Sequence, residues 1–455
     1  MKVVFIIEKI NYFRNFSTLI NQFVINNDQV VFFYSKKINE DLLNKQILRL
    51  NLKISNEDLV EFKKLDEINS LVKKFKDVNF YISLHPINFK VDAEVLKFLS
   101  KKWCVIMHGD DSFMTVWDWN GFNFDIDISE LYHRNFFIFN KKMFEWHLKI
   151  IRDNPFNKFQ EKNYEFFNNN YTKLFEIGDN QIDENIKNSK IENFYKRFGI
   201  SKNQKIILYL PFPYNPPRNN VTKNYSWQAA YSGIYCDLYS NKLWTTKKNF
   251  ILVFFYSIFL KIKIFFFVIN NSNSRNLYFN NINEKTILKK IALFCKKNNF
   301  KLAVKSRKKF PIIRNINKYA DYFIDDEEDY FYPSLFQESI LASEFVIGYF
   351  STAVREVIAL DKMYVNIQPD NDFFDNRKDR LLRFETINYS RYNYPGVVKN
   401  FKLREFISNF DKLKKSFFKI NHENLYKYKS IFLGINKNII GSKLFYNLLK
   451  KLKEN

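Results

Sequence analysis

His108 follows the apolar run Trp103-Cys104-Val105-Ile106-Met107 and precedes Gly109. A neutral imidazole at the end of a buried strand, beside a glycine that lets the backbone turn closely, can take a proton from an attacking hydroxyl. The alternative is a structural histidine bonded to Asp110 or Asp111. Ser351 and Thr352 stand between the run Phe345-Val346-Ile347 and a helical pattern that carries Val354, Val357 and Ile358. The first N–H groups of a helix lack partners and its dipole favours an anion, so this junction can seat a phosphate; a plain Ser or Thr N-cap accounts for one of the pair equally well. Glu356, one turn on, either reaches a ribose hydroxyl or lies on a solvated face. Lys305 and Arg307 follow the run Lys301 to Val304 and carry the charge that suits a pyrophosphate leaving group.

Other chemistries lack their machinery. The sequence has no Walker A loop, no Gly-x-Gly-x-x-Gly after the first apolar run, no Gly-x-Ser-x-Gly elbow and no His-Glu-x-x-His. Kinase-like, nicotinamide-dependent, hydrolase and zincin readings are therefore set aside. Asp325-Asp326-Glu327-Glu328-Asp329 reads as a solvated loop, because consecutive acids point in different directions. No metal and no cofactor is expected. Cys104, Cys236 and Cys295 are far apart, which indicates neither a disulfide framework nor a zinc site and fits a reducing cytosol.

The elements that would position these residues are legible as alternating patterns. Val3 to Ile7 is a β-branched apolar run, and Phe16, Leu19, Ile20, Phe23 and Val24 follow at helical spacing before the next run, Gln29 to Tyr34. Strand, helix and strand within about thirty residues predict a parallel sheet. Further strands are expected at Val78–Leu84, Trp103–Met107, Phe136–Phe139 and Leu174–Asp179. A second unit opens at Ile206–Leu210, which Pro211, Pro213, Pro216 and Pro217 bring to a stop. It continues with a helix through Ile287, Leu288, Ile291, Phe294 and Cys295, then strands at Lys301–Val304, Phe345–Ile347 and Met363–Ile367. With 455 residues there is chain for two domains. Loops at the carboxyl ends of parallel strands line the ligand crevice, and His85, His108, Lys305 and Ser351 all follow a strand.

Two segments stand apart. Phe250 to Leu260 and Ile264 to Ile269 are apolar all round, separated by Lys261-Ile262-Lys263. Each lysine would cost about 2.5 to 3.5 kcal/mol at a bilayer centre, so a true span is not expected. A buried helix and strand, an interfacial helix and a contact with a membrane partner remain, and a membrane-contacting insertion is preferred. From Phe401 onward, Leu403, Phe406, Ile407, Phe410 and Leu413 recur at helical spacing with Lys and Arg opposite; packing on the body is expected, with anionic lipid as the alternative. The net charge of +24 suits an anionic partner, whether nucleic acid, lipid or a phosphorylated substrate, although an AT-rich coding bias yields the same excess of lysine.

Three segments resemble the CDP-glycerol glycerophosphotransferase family, polyol-phosphate polymerases of the GT-B superfamily. Lys205-Ile206-Ile207-Leu208-Tyr209-Leu210-Pro211 is similar to a strand ending in Leu-Tyr-Ala-Pro-Thr. Ser343 to Thr352, continuing to Met363, is similar to the family's Ser-Asp-x-x-Ile-Thr-Asp-Tyr-Ser-Ser strand, its helix and the next strand. Met107-His108-Gly109 resembles the Trp-His-Gly whose histidine is the family's catalytic base. The likeness spans Lys205 to Ile367, apart from Val221 to Asn283.

It implies two Rossmann-like domains facing a cleft. Residues 1–190 would be the acceptor domain, 191–400 the nucleotide-donor domain with an insertion at about 221–283, and 401–455 a basic helical tail. It further implies a nucleotide-activated donor (UDP-, CDP- or similar) on Lys305, Arg307, Ser351, Thr352 and Glu356, with His108 as base. A glycan or lipid-linked acceptor would be met at the inner face of a membrane, the protein being cytoplasmic and peripheral. Where the family has Arg-x-His-Pro this chain has Lys305-Ser306-Arg307, and Glu356 matches the acid that many sugar-transferring GT-B enzymes place on the ribose, so a sugar donor stands beside CDP-glycerol. A UDP-GlcNAc 2-epimerase-like enzyme and a non-catalytic scaffold of the same fold are the rival readings.

Overall fold

The computed structural model describes residues 1–38, 40–50, 52, 54–84, 92–99, 101–106, 135–141, 174–189, 191–211, 284–305, 316–324, 332–349, 351, 353–368, 392–435 and 440–454. They fall into two units. One takes the described residues of Met1–Ser189, Glu328–Leu335 and Tyr426–Asn455, the other those of Lys190–Glu327 and Phe336–Leu425.

In the first unit the strands are β1 (Lys2–Ile7), β2 (Gln29–Ser35), β3 (Leu59–Phe62), β4 (Phe80–Leu84), β5 (Trp103–Ile106), β6 (Asn135–Ile138) and β7 (Leu174–Glu176). They form one sheet in the order β3-β2-β1-β4-β5-β6-β7, and all its pairings are parallel. Helices α1 (Ile10–Ile25), α2 (Glu40–Arg49), α3 (Glu67–Lys74), α4 (Ala93–Leu99) and the short α5 (Glu184–Lys187) join them. A parallel sheet is covered on both faces, which is why β1, β2, β4 and β5 read as continuous apolar runs. Helix α1 keeps Phe13, Phe16, Leu19, Ile20 and Phe23 fully buried, with Phe16 and Phe23 edge-on to Phe5 of β1 at 5.2 and 5.9 Å. Each such side chain contributes about 1.5–3 kcal/mol by leaving water. The helix ends at Ile25, and Asn27, two residues on, takes the left-handed conformation (φ 55°) that Asn tolerates.

A buried polar network sits beside this core. The Asp183 carboxylate accepts bonds from the Tyr332 hydroxyl, from Asn21 Nδ2 at 3.3 Å and from the Ile186 amide at 2.9 Å, and Asn21 Nδ2 also reaches the Tyr332 oxygen at 3.0 Å. Burial pushes the Asp183 carboxyl above the ordinary range, and the bonds it accepts only partly offset this.

The end of the chain returns to the first unit. Helix α11 (His422–Leu433) presents its last carbonyls to Asn140 Nδ2 (3.0 and 3.2 Å) and to the Asp179 amide (2.7 Å). Gly434 follows at φ 62°, so close to the Phe139 carbonyl that a Cβ would overlap its oxygen and lie 3.0 Å from Gly178 Cα. Helix α12 (Gly441–Glu454) then lays Phe445 on Phe137 at 4.5 Å and Tyr446 on Phe23 at 5.3 Å, and the Tyr446 hydroxyl bonds Asp28 at 2.7 Å.

The second unit begins with α6 (Glu192–Phe198), and its strands are β8 (Ile206–Tyr209), β9 (Lys301–Lys305), β10 (Tyr322–Ile324), β11 (Ser343–Tyr349), β12 (Met363–Gln368) and β13 (Val398–Lys402). The order is β10-β9-β8-β11-β12-β13, again all parallel. One face carries Ile207, Tyr209, Phe345, Ile347 and Val365 into a cluster with α7 (Glu284–Asn298), α10 (Leu403–Asn409) and the turns after α10. The helix expected through Leu413 stops at Asn409. A 3-10 turn over Phe410–Lys412 then puts the Phe410 ring 4.2 Å from Phe406 and 4.9 Å from Phe294. The opposite face carries, by alternation, Leu208, Val346, Gly348, Tyr364 and Asn366. Helices α8 (Leu335–Ala342) and α9 (Ala353–Ala359) precede and follow β11, and all seven residues of α9 are buried. Among the described residues no helix is long and apolar enough to cross a membrane. The apolar segment 250–269, the insertion 221–283, the acidic run 325–329 and Cys236 lie outside the described residues.

Candidate functional site

Both sheets share the order in which a first strand is flanked by the second on one side and the fourth on the other. In the second unit the reversal falls between β8 and β11. Connections leaving neighbouring strands in opposite directions open a crevice at the carboxyl ends, and ligands of open α/β sheets bind there.

The residues around that edge are held tightly. The Leu210 amide bonds the Ile347 carbonyl at 2.8 Å, which prolongs the β8–β11 pairing by one step. Tyr209 and Tyr349, the last residues of the two strands, are buried with their hydroxyls 3.1 Å apart. Tyr364 of β12 sends its hydroxyl across the sheet to the Tyr349 carbonyl at 2.6 Å. That reach is open because residue 348 is glycine: a Cβ there would overlap the Tyr364 oxygen and lie 3.2 Å from ring carbon Cζ.

Three of the residues singled out by sequence lie on or next to the strands and helix at this end of the second sheet. Lys305 ends β9, the strand next to β8, and is 4 % exposed, with its ammonium 5.8 Å from the Phe336 ring centroid. Ser351 follows β11; its hydroxyl accepts the Ala353 amide at 3.2 Å and its carbonyl the Val354 amide at 3.1 Å, so it shapes the entry into α9. Lys305 and Ser351 thus come from the two strands that flank β8. Glu356 is 6 % exposed on α9, which removes the solvated-face alternative. His108, Arg307 and Thr352 lie outside the described residues.

Sequence reasoning missed Arg355, which is 2 % exposed beside Glu356. A charged pair inside Ala-Val-Arg-Glu-Val-Ile-Ala, whose other members are all apolar, was the available signal. It also missed Tyr209, Tyr349 and Tyr364, whose roles depend on register across three strands.

No family model matches the sequence, and no curated protein matches it. Solved structures do. The wall teichoic acid polymerase TagF is similar over 100% of this chain and 89% of its own, at 13% identity and a TM-score of 0.52. The UDP-GlcNAc 2-epimerase of Neisseria meningitidis bound to UDP-GlcNAc matches over 100% of both chains at 12% identity and a TM-score of 0.49. A putative UDP-N-acetylglucosamine 2-epimerase from Listeria monocytogenes matches over 100% of this chain and 97% of its own, at 8% identity and a TM-score of 0.49. At 13% identity the likeness to TagF is one of fold, the GT-B fold with its two parallel-sheet α/β domains.

Proposed function

We propose that this protein is a metal-independent GT-B transferase that moves a glycosyl or polyol-phosphate group from a nucleotide-activated donor to an acceptor hydroxyl, in the assembly of a surface polysaccharide or glycoconjugate. The observation that supports this reading is the buried Lys305 at the carboxyl end of β9, the strand beside β8, with a buried Glu356 in the first turn of the helix that follows β11. An ammonium sheltered from water at the carboxyl end of a strand attracts a diphosphate more strongly than a solvated one does. In this reading Lys305, Arg307, Ser351 and Thr352 take the diphosphate, and Glu356 takes the ribose. These groups stabilise negative charge as the bond to the leaving nucleotide breaks. His108 is the base that removes the acceptor proton. The acceptor is a glycan or lipid-linked molecule, and the net charge of +24 supports a peripheral position at an anionic cytoplasmic membrane face.

Replacing His108 by Ala is expected to abolish turnover with donor binding nearly intact. Unchanged turnover overturns its role as base. A 2-epimerase-like activity is the second reading, since it uses the same two-domain plan and a nucleotide-sugar but needs no acceptor. Incubation with UDP-sugars and no acceptor separates the two: an epimerase converts the donor, and a transferase leaves it intact.

A further inference from the structure

The end of α7 and the turns after α10 are bonded into one surface of the second unit. Asn298 Nδ2 reaches the Leu413 carbonyl at 3.4 Å, and Asn298 Oδ1 accepts the Lys415 amide at 3.0 Å. Lys290 pairs with Asp411 at 3.2 Å, and Phe294 packs on Phe418 at 5.3 Å. Around this seam most of the exposed side chains are cations. Helix α7 exposes Lys285, Lys289, Lys296 and Lys297, and the adjoining turns expose Lys412, Lys414, Lys415 and Lys419. Asp411 is the one acid in residues 410–419, and Lys290 already neutralises it. Two large apolar side chains stand out among these charges: Leu293, 52 % exposed, and Phe417, 42 % exposed.

We infer that this face docks the protein on an anionic lipid bilayer, the lysines meeting phosphate headgroups while Leu293 and Phe417 enter the interface between headgroups and acyl chains. Lysines near an anionic surface each add to binding, and a few apolar side chains add area that only a membrane buries. Nucleic acid fits less well. Leu293 has no face on which a base can stack. The inference deepens the membrane position in the function proposed above and rests on that part of it alone.

The test is co-sedimentation of the full chain with vesicles of phosphatidylcholine alone or mixed with phosphatidylglycerol, at low and high salt. Binding is expected only to the mixed vesicles and is expected to weaken with salt. The variant Lys289→Glu/Lys296→Glu/Lys414→Glu/Lys415→Glu is expected to lower the partition coefficient by about 100-fold or more. Phe417→Ser alone should lower it several-fold. A control with the same charge change at exposed lysines of the first unit, Lys37→Glu/Lys63→Glu/Lys64→Glu/Lys76→Glu, should lose far less. Circular dichroism and nucleotide titration of the same samples report folding and the donor site separately. Equal losses in the two quadruple variants, no loss with Phe417→Ser, or binding to RNA but not to vesicles each overturn the inference. Patch-dependent vesicle binding without nucleotide binding sustains it and counts against the donor site instead.

Discussion

Gly348 and Tyr364 make a paired prediction at the edge of the candidate site. A methyl group at position 348 would overlap the Tyr364 oxygen, lie 3.2 Å from Cζ and lie 3.4 Å from Leu210 Cβ. Tyr364 is fully buried and its hydroxyl is bonded to the Tyr349 carbonyl, so it has nowhere to swing. Gly348→Ala should therefore cost about 2–3 kcal/mol, the upper range for overpacking. Tyr364→Phe removes one buried hydrogen bond and should cost about 1–1.5 kcal/mol. With the oxygen gone, the nearest obstacle to the new methyl is the ring carbon, and a shift of a few tenths of an ångström relieves it. The double variant should then cost about 1.5–2.5 kcal/mol instead of the sum of about 3–4.5 kcal/mol, a coupling of about 1.5–2 kcal/mol. Urea unfolding of the four proteins, compared by midpoint at unchanged slope, measures it. Additive costs, with Tyr364→Phe giving no relief, would refute the reasoning that Gly348 is there to admit the hydroxyl.

Gly434→Ala combines a left-handed backbone, costing about 1–2 kcal/mol, with overlap on the Phe139 carbonyl, and should loosen residues 426–454 by about 2–5 kcal/mol. Hydrogen exchange in α11 and α12 should rise by more than tenfold, and unchanged protection contradicts the packing described. The raised Asp183 carboxyl makes the fold most favoured with that group protonated, so its contribution is full below about pH 4, the unfolded value, and is lost as pH rises through the higher folded value. Measured against Asp183→Asn, the wild type should lose stability from about pH 4 upward, and a gain over that range has the wrong sign. Burial pushes the thiols of Cys104 and Cys295 far up, so neither should be alkylated in the native protein. Peptide mapping after brief iodoacetamide treatment checks this, and rapid labelling at either position contradicts it.

The alternation of strands and helices was legible because buried parallel strands are short uninterrupted apolar runs, as Val3–Ile7 and Ile206–Tyr209 are. Strand order was not legible, since it is decided by which strands the crossovers bring side by side. β3 and β10 escaped notice for a related reason: Leu59–Phe62 and Tyr322–Ile324 are too short to show a period. Lys305 and Ser351 could be placed at strand ends from the sequence because the residue after a strand can be read from the chain. The burial of Glu356 was invisible, because a glutamate on a helix ordinarily faces water, and only the tertiary packing of α9 encloses it. Gly348 gave no signal of its own, for its partner is a tyrosine on the neighbouring strand.

The central claim is that the carboxyl edge of the second sheet holds the diphosphate of a nucleotide. Its most direct test is calorimetric titration of UDP and CDP into the wild type and Lys305→Met, a variant that keeps the volume of the side chain and removes its charge. At least one nucleotide should bind, and Lys305→Met should weaken it by about tenfold or more, as loss of a buried charge-assisted contact does. Equal affinity in the two proteins, or no binding of either nucleotide to the wild type, would contradict the claim.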